Sequence, residues 1–128
     1  MTWLSILLVV KIAVTAALIA APFLLAPRPV LAKRMAIETS TSAMFRLYGV
    51  AMAALLVGYG FGVAAAQAGV FPWGVAAVGV VSNGGASIAL LATGAAGKNA
   101  ALTAFFILIT IGLIAAMLAP DAALMSAF

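Results

Sequence analysis

The chain contains no cysteine and no histidine, and charged side chains make up only 6% of its 128 residues. Without thiols or imidazoles it has no disulfide relay, no thiolate zinc site and no histidine-ligated haem. Its six methionines form no tight cluster of the kind that holds copper(I) through thioethers. We therefore expect no bound metal, no cofactor and no nucleic-acid partner.

Acidic residues are almost absent, and this removes further chemistry. The only two are Glu38 and Asp121, and neither lies inside an apolar segment. A proton-coupled exchanger needs a carboxyl group that cycles its proton within the membrane. Enzymes need a base or a nucleophile, and Lys11 is the one candidate inside an apolar segment. We predict that the chain is not an enzyme.

Apolar residues, in contrast, make up 68% of the chain, whereas about a quarter of the residues in a soluble domain are charged. A membrane-spanning helix needs about 20 apolar residues. Charges and helix breakers (Pro27 to Pro29, the 69–74 turn and Pro120) divide the chain into four such segments, and Asn99 is expected to cap the fourth. The predicted fold is an all-α integral membrane four-helix bundle in a single domain, with spans 3–25, 43–68, 74–93 and 100–119 and a basic loop 26–42.

Basic residues are concentrated in two loops. Cytoplasmic loops carry an excess of Lys and Arg, and the five that lie outside the first span are Arg28, Lys33, Arg34, Arg46 and Lys98. We therefore expect both termini on the periplasmic side of a bacterial inner membrane. The side chains of Arg28, Lys33, Arg34 and Arg46 are expected to contact lipid headgroups. For Arg46, contact with Glu38 or a place in a cytoplasmic vestibule are the alternatives.

Small residues mark the faces where helices are expected to approach closely, because lipid tails are as apolar as Leu and only close packing favours association. Gly58 and Gly62 form a GxxxG pair in the second span. In the third span, steps of three and four residues place a seam of small side chains on one helix face: Gly79, Ser82, Ala86, Ala89 and Thr93. We predict that spans two and three form the closest pair, although the seam is equally suited to contact a second copy.

Each span also carries a hydrogen-bonding side chain at about the same depth from the outer face, at roughly 12–15 Å by helical rise. The four are Lys11, Tyr59, Asn83 and Thr110. An ionisable residue inside the membrane indicates a functional site by default. The layer therefore has two interpretations. It is either hydrogen-bonding glue, with Lys11 reaching outward to water near Asp121, or a pocket for a small anion or the polar head of a lipid-like or quinone-like molecule.

The segment Phe45-Arg46-Leu47-Tyr48-Gly49, followed by an alanine-rich span with Gly58 and Gly60, resembles the opening of a helix in DoxX-like small four-span bacterial membrane proteins. That resemblance implies a compact four-helix bundle, sometimes accessory to respiratory or redox assemblies, and carries over no catalytic residue. We expect an accessory or structural subunit of a larger membrane complex or homo-oligomer, with membrane lipids and other subunits as partners. The alternative is a small transporter or channel that uses the polar site around Lys11.

Overall fold

The computed structural model describes residues 1–35 and 41–128, which form helices and one isolated β-bridge between Thr2 and Ser126. Four of the helices are long and apolar enough to cross a membrane. This confirms the predicted all-helical class and the four apolar helices. The helices are α1 (Trp3–Leu25), α2 (Arg28–Met35), α3 (Ala43–Gln67), α4 (Trp73–Ala92), α5 (Ala100–Leu118) and α6 (Pro120–Leu124).

Helix α1 contains Pro22 and continues past it to Leu25. A proline inside an α-helix lacks an N–H group, and its ring clashes with the carbonyl four residues earlier. The five residues Ala16–Ala20, just before this proline, form a π-helical turn, which is wider than an α-helical turn. The widened turn accommodates the proline, and it follows Thr15, whose side chain is buried in the bundle.

The predicted basic loop 26–42 also contains a helix, α2, which begins directly after Pro27. Prolines at 27 and 29 are compatible with this start because the first turn of a helix has no partner for its N–H groups. Helix α2 is held by Leu31, which is buried in an apolar cluster with Phe23, Phe45 and others. The residues after Met35 up to 40 lie outside the described part of the chain.

The prediction that spans two and three form the closest pair is wrong. The most extensive contacts join α4 to α5 and α1 to α3, whereas α3 and α4 touch little. Glycines explain the two close pairs. A Cβ atom at Gly79 would lie 2.5 Å from Leu113 Cδ1, and one at Gly49 would lie 3.0 Å from Leu24 Cγ. The Tyr59 ring, in contrast, stands between α3 and α4 and keeps their backbones apart, despite their short connection.

The two helix pairs meet closely at the terminal end, which we define as the end of the bundle that holds both chain termini. Trp3 N donates to Met125 O (3.3 Å) and Ala127 N donates to Met1 O (3.0 Å). A buried apolar cluster that includes Leu4, Leu8 and Leu113 fills this half. At the opposite end, called the basic end because it holds α2 and Lys98, the helices leave a cleft.

Candidate functional site

The cleft at the basic end has a volume of about 400 Å³ and takes residues from all four spanning helices and from α2. Its walls are predominantly apolar and include Val14, Ile19, Phe23, Leu90, Leu102 and Phe105. Along α5 it extends from Asn99 to Phe106, which is about 10 Å at helical rise. The cleft was not predictable from the sequence, because its width depends on how the helix pairs diverge.

Two basic side chains lie in the rim of the cleft. Arg34 at the end of α2 and Lys98 before α5 both line it and are exposed. Tyr48 and Asn99 add polar groups to the same wall. The cleft therefore combines an apolar interior with positive charge at one end, which is the pattern that an amphiphile with an anionic head would match. The charge of Arg34 and Lys98 was visible in the sequence, but their common location was not.

A second, smaller cavity of about 30 Å³ lies deeper in the bundle. Three of the four predicted layer residues line it, namely Lys11, Tyr59 and Asn83, and Thr15 and Ser82 join them. Thr110 does not, because its hydroxyl donates to Phe106 O (2.8 Å) on its own helix. The cavity shares wall residues with the cleft, namely Tyr48, Ala86 and Phe106.

Asn83 organises the polar wall of this cavity. Its Nδ2 donates to Gly79 O (2.7 Å) and to Tyr59 Oη (3.3 Å), and Tyr59 Oη lies 3.0 Å from Ser82 Oγ. A backbone carbonyl only accepts hydrogen bonds, so the contact with Gly79 fixes which end of the amide is the nitrogen. Asn83 Oδ1 is the other end; it is buried, as is Thr15 Oγ1, and neither has a hydrogen-bond partner among residues 1–35 and 41–128.

Lys11 is 4% exposed, and its ammonium is surrounded by aromatic rings. Lys11 Nζ lies 5.0 Å from the ring centroid of Phe106, 5.3 Å from that of Phe105 and 6.0 Å from that of Tyr59. The interpretation that Lys11 reaches outward to Asp121 is therefore wrong. The apolar cluster of the terminal half blocks that direction, and the side chain reaches toward the basic end instead.

Arg46 contacts backbone carbonyls. Its Nη1 donates to Phe23 O and its Nη2 to Ala26 O, both at 2.8 Å, so the guanidinium caps the C-terminal end of α1. The neighbouring Phe45 ring packs edge-on against Phe23 at 5.7 Å. The segment that carries the resemblance to DoxX-like proteins thus holds α3 to the end of α1. The alternative partner, Glu38, lies outside the described residues. Contact of the exposed side chains of Arg28, Lys33 and Arg34 with headgroups stays a prediction.

The residues predicted to pack helices divide into two groups. Gly62 and Gly79 lie close to side chains of neighbouring helices. Ser82 forms a hydrogen bond with Tyr59, and Ala86 is half-buried beside both cavities. For Gly58, no atom of another helix among the described residues lies within 4 Å of where its Cβ would be, and Ala89 is exposed in the cleft wall. Within this chain the prediction is therefore wrong for Gly58, because its face of α3 points away from the other helices.

No protein-family model, curated protein or solved structure matches this chain.

Proposed function

We propose that this chain is a non-catalytic, multi-pass protein of the bacterial inner membrane that binds one anionic amphiphile in the cleft at its basic end. The observation that carries the proposal is the apolar cleft of about 400 Å³ with Arg34 and Lys98 in its rim. Ligand sites are typically clefts of about 300–1,000 Å³ with mostly apolar walls and a few polar groups. The distribution of basic residues favours a cytoplasmic location for this end.

The headgroup, and not the tail, is expected to determine which amphiphile binds. Moving an acyl chain from the bilayer into the cleft exchanges one apolar environment for another, so it gains little free energy. A basic side chain near an anionic headgroup contributes about 1 kcal/mol. With Arg34 and Lys98 together, the preference for an anionic over a zwitterionic headgroup is about 2 kcal/mol, or about thirtyfold in affinity.

Binding is favoured over conduction by the packing of the terminal half. The buried side chains of Leu4, Leu8 and Leu113 lie between the polar cavity and the terminal end. A channel needs a polar or wide path through both halves of the membrane. The cleft is instead open toward one end, which suits a molecule that enters from one leaflet.

An accessory subunit is the second candidate function, and the observation that favours it concerns exposed glycines. Gly58 and Gly60 on α3 and Gly85 on α4 have open space where a Cβ would lie. Small residues on a lipid-facing surface permit the close approach of another membrane helix. Purification in mild detergent tests this role, since stoichiometric recovery of a larger complex, lost in Gly58→Leu, would support it.

Native mass spectrometry of the full chain tests amphiphile binding, with phosphatidylglycerol and phosphatidylcholine of matched acyl chains as probes. We expect an affinity ratio of about thirty in favour of phosphatidylglycerol. In the double variant Arg34→Gln, Lys98→Gln the ratio should fall close to one. Lys33→Gln is the matched control, because Lys33 is exposed on the same helix but does not line the cleft. Equal affinities for both lipids in the unmodified chain would refute the proposal.

A steric variant provides an independent test of the location. Ala89 lines the cleft, whereas Ala92, one turn further along α4, is exposed and does not line it. We expect Ala89→Trp to fill the cleft and abolish phosphatidylglycerol binding, and Ala92→Trp to leave it unchanged. Loss of binding in both variants, or in neither, would place the lipid elsewhere on the surface.

A further inference from the structure

We infer that the small polar cavity beside Lys11 binds one monatomic anion, such as a halide. The cavity lies in the interior of the bundle, and the amphiphile proposed above does not depend on it. Its volume of about 30 Å³ provides room for an occupant of about the size of one or two water molecules. A phosphate or carboxylate headgroup is too large for this space.

The first reason for an anion is the uncompensated charge. A cationic side chain at the bilayer centre costs at least about 2.5–3.5 kcal/mol on insertion scales, and such groups are normally paired. Among residues 1–35 and 41–128, the only acidic side chain is Asp121, which lies in α6 at the terminal end. The three aromatic rings around Nζ offset part of the charge, but a ring face carries no net negative charge. An anion beside Lys11 supplies the missing counter-charge.

The second reason is the set of unused hydrogen-bonding groups. Lys11 has three N–H donors, and no hydrogen bond of its ammonium occurs within the described part of the chain. Thr15 Oγ1 and Asn83 Oδ1, in residues that are 2% and 1% exposed, likewise have no hydrogen-bond partner in that part of the chain. An anion in the cavity would accept hydrogen bonds from the Lys11 ammonium and from the Thr15 hydroxyl. Asn83 Oδ1 is itself an acceptor and cannot bond the anion, so it needs one of the remaining N–H groups of Lys11.

Water alone does not meet the charge requirement. A water molecule accepts from Lys11 and donates to Asn83 Oδ1, so it supplies hydrogen bonds, but it leaves the ammonium without a counter-ion. The hydroxyls of Tyr59 and Ser82 do not add donors to the cavity, because they bond each other and Ser82 Oγ also donates to Gly79 O (3.3 Å). The anion site therefore depends on Lys11 and Thr15.

The route of entry is the cleft. Tyr48, Ala86 and Phe106 form a wall between the cleft and the cavity, and the basic rim of the cleft attracts anions. Movement of the Phe106 ring, which also contacts Lys11 Nζ, would open this wall. An anion thus reaches Lys11 from the basic end without crossing the packed terminal half.

Thermal unfolding of the purified full chain tests the site. Sodium chloride or sodium bromide is titrated at constant ionic strength, with sodium gluconate as the balance, because gluconate is too large for the cavity. We expect the Tm to rise with halide and, well above half-saturation, to gain the same increment for each tenfold increase in concentration. Lys11→Met should remove this response, and Lys33→Met, which alters an exposed lysine outside both cavities, should retain it.

Two substitutions at Thr15 keep the test decisive if Lys11→Met fails to fold. Thr15→Asp places a carboxylate in the cavity beside the ammonium, so the chain should fold and its Tm should no longer depend on halide. Thr15→Val removes one donor at nearly constant shape, and the half-saturating halide concentration should rise at least about tenfold.

Crystals soaked in bromide locate the ion directly. We expect an anomalous peak within hydrogen-bonding distance of Lys11 Nζ. The proposal is overturned if the cavity contains water without a bromide peak, if the Tm of the unmodified chain is independent of halide, or if Lys11→Met retains the full response. None of these results bears on the amphiphile, whose binding is tested through Arg34, Lys98 and Ala89.

Discussion

Replacement of Arg46 by Met is expected to destabilise the bundle by about 3 kcal/mol. The guanidinium donates two hydrogen bonds of 2.8 Å to the carbonyls of Phe23 and Ala26 at the end of α1, where the last carbonyls of a helix have no partner within the helix itself. Hydrogen bonds to charged groups contribute about 1.5–3 kcal/mol each. Because Arg46 is half-buried, we take the lower value for each bond. Met keeps the apolar stem of the side chain and loses only the guanidinium.

Reversible unfolding in mixed micelles of increasing SDS content, followed by circular dichroism, provides the free energy. Arg46→Lys should lose about half as much as Arg46→Met, because a single ammonium reaches one carbonyl well and not both. Lys33→Met controls for the removal of one positive charge near the same end of the bundle. If Arg46→Met unfolds at the same SDS fraction as Lys33→Met, the guanidinium does not hold the end of α1.

Three further changes test the packing of the bundle. Gly79→Leu should prevent native packing, because a Cβ there already falls 2.5 Å from Leu113 Cδ1; loss of a single sharp thermal transition is the measurement. Gly58→Ala should instead raise the unfolding free energy by up to about 1 kcal/mol, since nothing lies within 4 Å and Ala favours helix; a clear decrease would contradict the assigned exposure. Tyr59→Phe removes the hydroxyl that joins α3 to α4 and should cost about 1 kcal/mol by SDS unfolding; no change would show that the bond is not formed.

The spanning helices were predictable from sequence because length, hydropathy and breakers are properties of the chain itself. Each predicted span agrees with the helix bounds to within one residue. The hydrogen-bond partner of the Asn99 side chain, in contrast, could not be predicted from the local sequence. Asn99 is the first residue before α5, as expected, but its side chain bonds Ala95 O and does not cap the helix. The amide thus bonds a carbonyl of the preceding turn and leaves the first N–H groups of α5 without a side-chain cap from Asn99.

The depth of the polar side chains in the membrane was predictable from the sequence, but the direction in which each one points around its helix axis was not. Helical rise places Lys11, Asn83 and Thr110 at similar depths whatever the helices do, but only tertiary packing determines which side chains face one another. The Thr110 hydroxyl donates to a carbonyl of the preceding turn, and Thr110 does not line the polar cavity. Thr15, one turn beyond Lys11, does line it. Thr15 lies four residues after Lys11 on the same face of a regular α-helical stretch, and the π-helical turn that follows changes only the rotation of the later residues Ala21–Leu25.

The geometry of the polar cavity helps to decide whether the polar layer does no more than join the helices by hydrogen bonds. Interhelical hydrogen bonds in membranes contribute about 0.6 kcal/mol each. The bonds of Tyr59 to Ser82 and Asn83 are of this kind. Against them stand two buried polar atoms without partners, at about 1–3 kcal/mol each, and a buried ammonium. Apolar side chains at Lys11 and Thr15 would hold the helices together at lower cost. A layer whose unpaired groups converge on one cavity is therefore better explained by an occupant of that cavity than by adhesion between helices.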